Sequence, residues 1–461
     1  MLDFMSVLSR YYFVFLIGYF VFSAVKFIIR KKEGGWVVPV GQKAVTILFV
    51  IFAFGILVFD PDENLMFVDA ESLAFGALVL AFLVAAPALV KRAYKHSCPI
   101  ITNTMVFLLG LGFVVLYRLN PDFAWRQFFI AAAGFGVSLL VPLGFRIFGQ
   151  FEKLEKLYVL GCFAIVGIVA IADVVARLTG LPIVAVDAFG AARWLSVAGV
   201  SFQPSEFVKP VFVLYLACAF RTKPGMGKLI FTGAASAAII GILVLQRDLG
   251  GALMFFVVFM AMFYVATGSK SLIGAGFGAI AVASVAAYQI FPHLRVRVAA
   301  WQNPWAVIDN QGFQITQSLF AIGTWGAFGA GLGRGLPWRI PVVERDVIFS
   351  AISEEFGWLF GLLLIAVYGI LLFRGIDIAR HSKRPLYALM ALGFTVFLAF
   401  QAFVAIGGNI KLIPMTGITL PFVSYGGSSV FVSVLMVGML NWLNGQINEK
   451  DKAEKAENDA G

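Results

Sequence analysis

A bundle of transmembrane helices is the fold class this sequence predicts: an all-α, polytopic membrane protein. Two observations carry the prediction. Of the 461 residues, 61% are hydrophobic and only 13% are charged, with a mean hydropathy of +0.92. That is too little charge to cover the surface of a soluble domain of this size. The apolar residues also come in repeated runs of roughly 18 to 22, each long enough to cross a bilayer core as a helix. A closed barrel would show short alternating segments instead. The 48 Phe and 47 Gly suit helices, because Phe faces lipid well and small residues let helices approach closely.

The first run, Tyr11 to Ile29, precedes Arg30, Lys31 and Lys32. A cleavable signal peptide has the reverse charge order, so this run reads as a retained span. About thirteen spans meet the length criterion: 11–29, 43–60, 72–90, 102–118, 126–145, 157–177, 203–220, 228–246, 249–267, 272–291, 347–373, 385–407 and 425–444. Alternate loops are basic: Lys91 and Arg92, Arg146 and Lys153, Arg221 and Lys223, Lys270, Lys383 and Arg384. The opposite side begins with an acidic loop holding Asp60, Asp62, Glu63, Asp69 and Glu71. The positive-inside rule then puts the basic side and the C-terminus in the cytoplasm and the N-terminus outside a bacterial plasma membrane. The net charge of +10 is accounted for by those loops and argues no nucleic-acid partner. Cys98, Cys162 and Cys218 are scattered and form neither a metal spacing nor a disulfide framework.

Three outer segments are long for helix connections: 176–205, 292–346 and 407–427. Long loops gathered on one face are often functional. In the first, Arg193 beside Trp194 suits an interfacial anchor and equally presents a guanidinium to a phosphate. Ser205 reads as a helix N-cap after Pro204. Glu206 and Lys209 share a helix face; they read as a salt bridge at a helix start. Yet an ammonium inside an apolar run also implies a polar cavity or a buried partner. Arg247 and Asp248, in the tight turn between two spans, read as a structural pair.

The second segment carries Arg295, Arg297, Gln317 and Ser318, then Gly326, Gly329, Gly331, Gly333 and Gly335. No nucleotide-loop pattern is present. The segment reads as a flexible loop whose arginines and amides suit an anionic, sugar-bearing headgroup. It ends at Asp346, at the mouth of the next span, with Ser350 and Ser353 on nearly the same helix face. Glu354 lies beside that face and Glu355 opposite it. Carboxylates so close to the membrane are either solvated at its boundary or functional.

Six strings, in order, resemble the SEDS family, whose members include FtsW, RodA and SpoVE: GAARWL, FQPSEFVKP, LQRDLGGALM, GFQITQSLFAIG, ERDVIFSAISEEFGW and IPMTGITLPFVSYGGSS. The resemblance covers roughly residues 100 to 445. It implies a ten-span core at 96–445, an extra three-span region at 1–95, and a polar tail at 446–461 that reads as disordered. It also implies a peptidoglycan glycosyltransferase that polymerises lipid II at the outer face, with a class B penicillin-binding protein as partner. By the same resemblance Asp346 is the catalytic residue. Arg193, Trp194, Glu206, Lys209, Arg295, Arg297, Gln317, Ser318, Glu354 and Ser424 are substrate-binding candidates. The cations would meet the lipid diphosphate, with or without a divalent metal such as Mg or Mn. Asp346 would take the proton of the acceptor hydroxyl.

The chain departs from the family in three places. Arg247 stands where members usually have Pro, Glu344-Arg345 replaces His-Thr, and Asn409-Ile410-Lys411 replaces a more Gly-rich stretch. Two rival readings are a lipid II flippase, or other transporter of lipid-linked oligosaccharides, and a noncatalytic scaffold for the penicillin-binding protein. The transporter would need charges along a polar path near the bilayer midplane, where this sequence has few.

Overall fold

The computed structural model describes residues 2–30, 37–58, 69–94, 96–147, 149–179, 184–186, 192–197 and 200–460. It is a helix bundle, built in chain order. The first three helices are α1 (Leu2–Arg30), α2 (Val37–Leu57) and α3 (Ala70–Ala93). Next come α4 (Pro99–Leu119), α5 (Pro121–Leu139), the short α6 (Val141–Ile147) and α7 (Glu155–Thr179). A small antiparallel sheet follows: β1 (Val184–Val186), β2 (Ala192–Val197) and β3 (Val200–Phe202). Val184 pairs with Leu195, and Leu195 with Phe202. Then come α8 (Pro204–Phe220), α9 (Met226–Leu245), α10 (Leu249–Thr267) and α11 (Lys270–Ile290). The rest is α12 (Pro292–Gln302), α13 (Phe313–Thr324), α14 (Ile348–Phe356), α15 (Trp358–His381), α16 (Pro385–Asn409) and α17 (Gly427–Ala460).

Among the described residues, twelve helices are long and apolar enough to cross a membrane. About thirteen were expected; α8, at the place of the expected span 203–220, is apolar, 17 residues long and buried along nearly its whole length. This is a multi-pass membrane protein. Its centre is α4, which is buried from Ile100 to Tyr117. Gly112 shows how tightly it is held: a Cβ there would lie 2.7 Å from the Phe422 carbonyl.

Four expectations need correction. The span expected at 347–373 is two helices. Gly357, at φ +89, breaks it, and any Cβ there would sit 2.1 Å from the Ala327 carbonyl oxygen. Glycine is the residue that such a left-handed, close approach requires. The membrane helix is therefore α15, and α14 is a short separate helix before it. Second, Gln203 occupies the N-cap of α8, with Pro204 at the first helical position and Ser205 inside the first turn. Third, the first long segment, read without any strand, forms the small sheet of β1, β2 and β3. Fourth, the tail at 446–461 continues α17 as helix to Ala460.

The extra region 1–95 is packed into the core. Phe13 of α1 meets Phe356 of α14 edge-on at 5.0 Å, and Phe49 of α2 stacks on the same ring at 6.0 Å. Tyr11 lies 4.8 Å from Phe328, in the Gly-rich run before α14. These aromatic contacts, worth about 0.5–1.5 kcal/mol each beyond their buried area, tie the added helices to α14 and to the Gly-rich run before it.

Candidate active site

The segments expected to be functional meet at one end of the bundle, the end that carries the sheet, α12, α13, α14 and the 410–426 loop. Asp346 lies half-buried in a turn before α14, formed by backbone bonds from Arg345 and Asp346 to the Val342 carbonyl. Its carboxylate faces Gly417, with Oδ2 3.5 Å from the position a Cβ would take there. Arg297 of α12 faces the same spot, its Nη2 3.9 Å from that point. Gly417 has φ +74, so it lets the loop turn and keeps a side chain out of the space beside the carboxylate and the guanidinium. Arg297 Nη1 donates to the Thr416 carbonyl at 2.9 Å, and Trp301 Nε1 donates to that of Lys411 at 3.0 Å. Through these bonds α12 is clamped to the loop.

Beneath Asp346 is a buried polar bracket. Asn409 Nδ2 donates to the Asp346 carbonyl at 2.8 Å. Ser350 Oγ donates to Asn409 Oδ1 and Ser318 Oγ to the Asn409 carbonyl, both at 3.0 Å. The two serine hydroxyls also lie within hydrogen-bond reach of each other, and either can donate to the other in place of its Asn409 acceptor. Ser318 thus supports Asp346 from below; Gln317 beside it on α13 is half-buried. Ser424 is buried too, and its hydroxyl accepts from Leu420 N at 2.9 Å within the loop. On the other side of the turn, Tyr425 N donates to the Glu344 carbonyl at 2.8 Å. Arg345 lies over the Tyr425 ring at 5.6 Å, and that ring stacks on Phe123 at 4.3 Å.

Lys209 occupies a separate buried cluster and is only 1% exposed. Its ammonium donates to Glu206 Oε2 at 2.7 Å and to Gln401 Oε1 at 2.8 Å. Gln401 in turn donates to the Thr419 carbonyl at 3.0 Å and to Ser429 Oγ at 2.9 Å. Both partners of the ammonium are therefore protein groups, and through Gln401 the cluster reaches the loop that holds Gly417. Trp194 is half-buried on β2, and Arg193 precedes it with its side chain outside the described residues. Arg295 is exposed on α12, away from the contacts Arg297 makes. Asp248 caps α10 by accepting from Gly251 N at 3.0 Å, and Gln203 Nε2 lies 3.3 Å from its other oxygen.

Glu354 and Glu355 belong to a third arrangement. The Gly-rich run folds against α14: Ala330 N donates to the Glu354 carbonyl at 2.8 Å and Gly331 N to that of Glu355 at 2.9 Å. At Gly329, φ +75, a Cβ would lie 2.4 Å from the Glu355 carbonyl oxygen. The run expected as a flexible headgroup loop is thus a clasp, fixed by backbone bonds. The Glu354 carboxylate accepts from Leu336 N at 2.8 Å and from the Trp325 side chain, so it serves the clasp. Arg118, at the end of α4, closes it: Nε lies 3.5 Å from Glu355 Oε1, and Nη2 donates to the Gly333 carbonyl at 3.1 Å. No pattern in the sequence links Arg118 to residues so distant in the chain.

Burial raises both carboxyls. Glu354 is shifted upward by desolvation, and Glu355, fully enclosed, is pushed up to about 7 from 4.5 despite Arg118. A carboxyl whose folded pKa is raised holds its proton in the folded state after the unfolded chain has released it. Folding stability therefore falls as pH rises from about 4.5 to about 7. The melting temperature should decline across that window, and Glu355→Gln should flatten the decline. A wild-type slope left unchanged in the variant would show that Glu355 does not carry it.

An apolar cavity of about 740 Å³ runs between α9, α10 and α11 and reaches this end of the bundle. Its walls include Ile240, Val244, Phe256 and Phe259, and α11 buries none of its own residues. Its polar mouth is formed by Arg247, His293, Arg297 and Thr416. Arg297 thus stands both at this mouth and beside the carboxylate of Asp346. Among the described residues no group of three or more His, Cys, Asp or Glu converges as a metal site.

Residues 99–449 match the family FTSW_RODA_SPOVE, described as cell cycle protein. The chain is 30% identical over 403 residues to the peptidoglycan glycosyltransferase RodA of Mycobacterium tuberculosis, covering 80% of this chain and 82% of that one. It is 32% identical over 371 residues to a probable peptidoglycan glycosyltransferase FtsW of Geobacter sulfurreducens, covering 76% and 95%. Two solved structures share the fold at 24% identity. One, described as "Structural coordination of polymerization and crosslinking by a peptidoglycan synthase complex", aligns with TM-score 0.63 over 77% of this chain and 99% of its own. The other, RodA of Thermus thermophilus, aligns with TM-score 0.54 over 76% and 97%.

Proposed function

The chain belongs to the FtsW/RodA/SpoVE family of cell cycle proteins, and we propose that it is a peptidoglycan glycosyltransferase that polymerises lipid II on the outer face of the bacterial plasma membrane. One observation carries the proposal: Asp346 and Arg297 converge on Gly417 at the mouth of the apolar cavity. A donor with a polyprenyl tail, a diphosphate and a sugar needs those three environments in that order. The tail lies in the cavity, the diphosphate meets Arg297, and the anomeric carbon lies beside Asp346. The acceptor sugar hydroxyl then loses its proton to Asp346 as its oxygen bonds to the anomeric carbon. The bond from that carbon to the phosphate oxygen breaks, and its electron pair leaves with the diphosphate, where guanidinium groups stabilise the growing charge. A single displacement inverts the anomeric centre. A divalent cation bound to the substrate phosphates would supply further charge stabilisation.

The test is polymerisation of fluorescent lipid II by the purified full-length chain, alone and with a class B penicillin-binding protein, the proposed partner. Glycan product is expected. Its absence under both conditions would favour the transporter or the scaffold reading.

The site must then face outward, with the N-terminus outside. The loop charges support this orientation, from Arg30 to Lys32 inside to Asp60 to Glu71 outside. In intact spheroplasts a cysteine placed at Ser6 should react with an impermeant maleimide, and one at Gly34 should stay unlabelled. The opposite labelling would overturn the topology.

A further inference from the structure

In the turn between α9 and α10 a long charged side chain sits on a left-handed backbone. Arg247 has φ +60, the left-handed region that disfavours a side chain and suits glycine. Gln246 Nε2 donates to the Val166 carbonyl at 2.9 Å, and Asp248 caps α10. Strain of this kind tends to persist where the side chain is used. Arg247 is exposed, and it lines the same cavity mouth as His293, Arg297 and Thr416. The apolar walls beneath come from α9, α10 and α11.

We infer that Arg247 binds the diphosphate of the polyprenyl-linked donor, holding it from the α9–α10 turn while Arg297 holds it from α12. The inference rests on the glycosyl-transfer reading above and adds a contact to it. A polyprenyl diphosphate carries its charge at one end of a long apolar chain. A cavity with apolar walls and cations at its mouth on two different elements matches that distribution. Guanidinium suits the task because its planar fork meets two phosphate oxygens at once and stays charged. Two arginines on separate elements also fix the diphosphate in direction, which places the anomeric carbon on the Asp346 side of Arg297.

The experiment measures direct binding of undecaprenyl diphosphate to the full-length chain in detergent, with uncharged undecaprenol as the control. Arg247→Gln should weaken diphosphate binding by about tenfold or more, the size of one charge-assisted contact, and leave undecaprenol binding unchanged. Arg247→Lys should fall between the two. Arg247→Gly should lose diphosphate affinity like Arg247→Gln while melting at or above the wild-type temperature, because glycine relaxes the turn. Wild-type diphosphate affinity in both Arg247→Gln and Arg247→Gly would overturn the inference. Arg297→Gln separates the two levels. If it loses diphosphate binding while the Arg247 variants keep it, the inference alone fails. If none of the three loses it, the cavity is not the donor site and the wider reading fails too.

Discussion

Asp346→Asn should lower the rate of lipid II polymerisation by about 10²–10⁴-fold, the usual cost of losing a general base. Substrate binding and melting temperature should stay near wild type. The bracket beneath the residue explains why these readouts should separate. Asn409 holds Asp346 by its backbone carbonyl, and the Ser318–Ser350 pair holds Asn409. The variant keeps that carbonyl and the side-chain shape beside Gly417, and it removes only the charge that accepts a proton. Glu355→Gln is the control: it alters a buried carboxyl of the clasp bonded to Arg118 and Gly333, so its effect should fall on stability. Polymerisation at the wild-type rate by folded Asp346→Asn would remove Asp346 from the chemistry.

The bundle itself is legible in the sequence because a bilayer imposes one length on every span. Lys209 and Glu206 are legible as a pair because helical spacing puts them on one face. Other features are not. A break in a long apolar run needs a glycine with a neighbour close behind it, and the neighbour of Gly357 is Ala327, far away along the chain. The Gly-rich run reads as flexible because its partners are backbone carbonyls of Glu354 and Glu355, which no residue pattern encodes. Asn409 stands out in the sequence only as a departure from the family, yet it holds Asp346 in place. Arg118 and Gln401 are isolated among apolar neighbours in largely apolar helices. Each acts through a contact distant in the chain, and periodicity is blind to that.

Lys209→Met should abolish polymerisation, and its double mutant with Glu206→Gln should show why. The ammonium is enclosed by Glu206 and Gln401, so removing it alone leaves a buried carboxylate without its partner. In soluble proteins that costs about 3–5 kcal/mol, whereas hydrogen bonds between membrane helices are worth about 0.6–2 kcal/mol. The loss of charge compensation is therefore the larger effect, and Lys209→Met should melt below wild type. Glu206→Gln with Lys209→Met removes both charges and should recover most of that stability. Activity in the double mutant then separates two roles. In the first, the ammonium only orders Gln401, whose amide holds the Thr419 carbonyl and Ser429 and so sets the loop that carries Gly417. A neutral but well-packed pair would then restore glycan synthesis along with stability. In the second, Lys209 turns from Glu206 toward the substrate diphosphate during the reaction. The double mutant would then be stable and inactive, because methionine brings no charge to the leaving group. The diphosphate role predicts a stable and inactive double mutant; a stable double mutant that polymerises lipid II at the wild-type rate would make Lys209 a positioning residue alone.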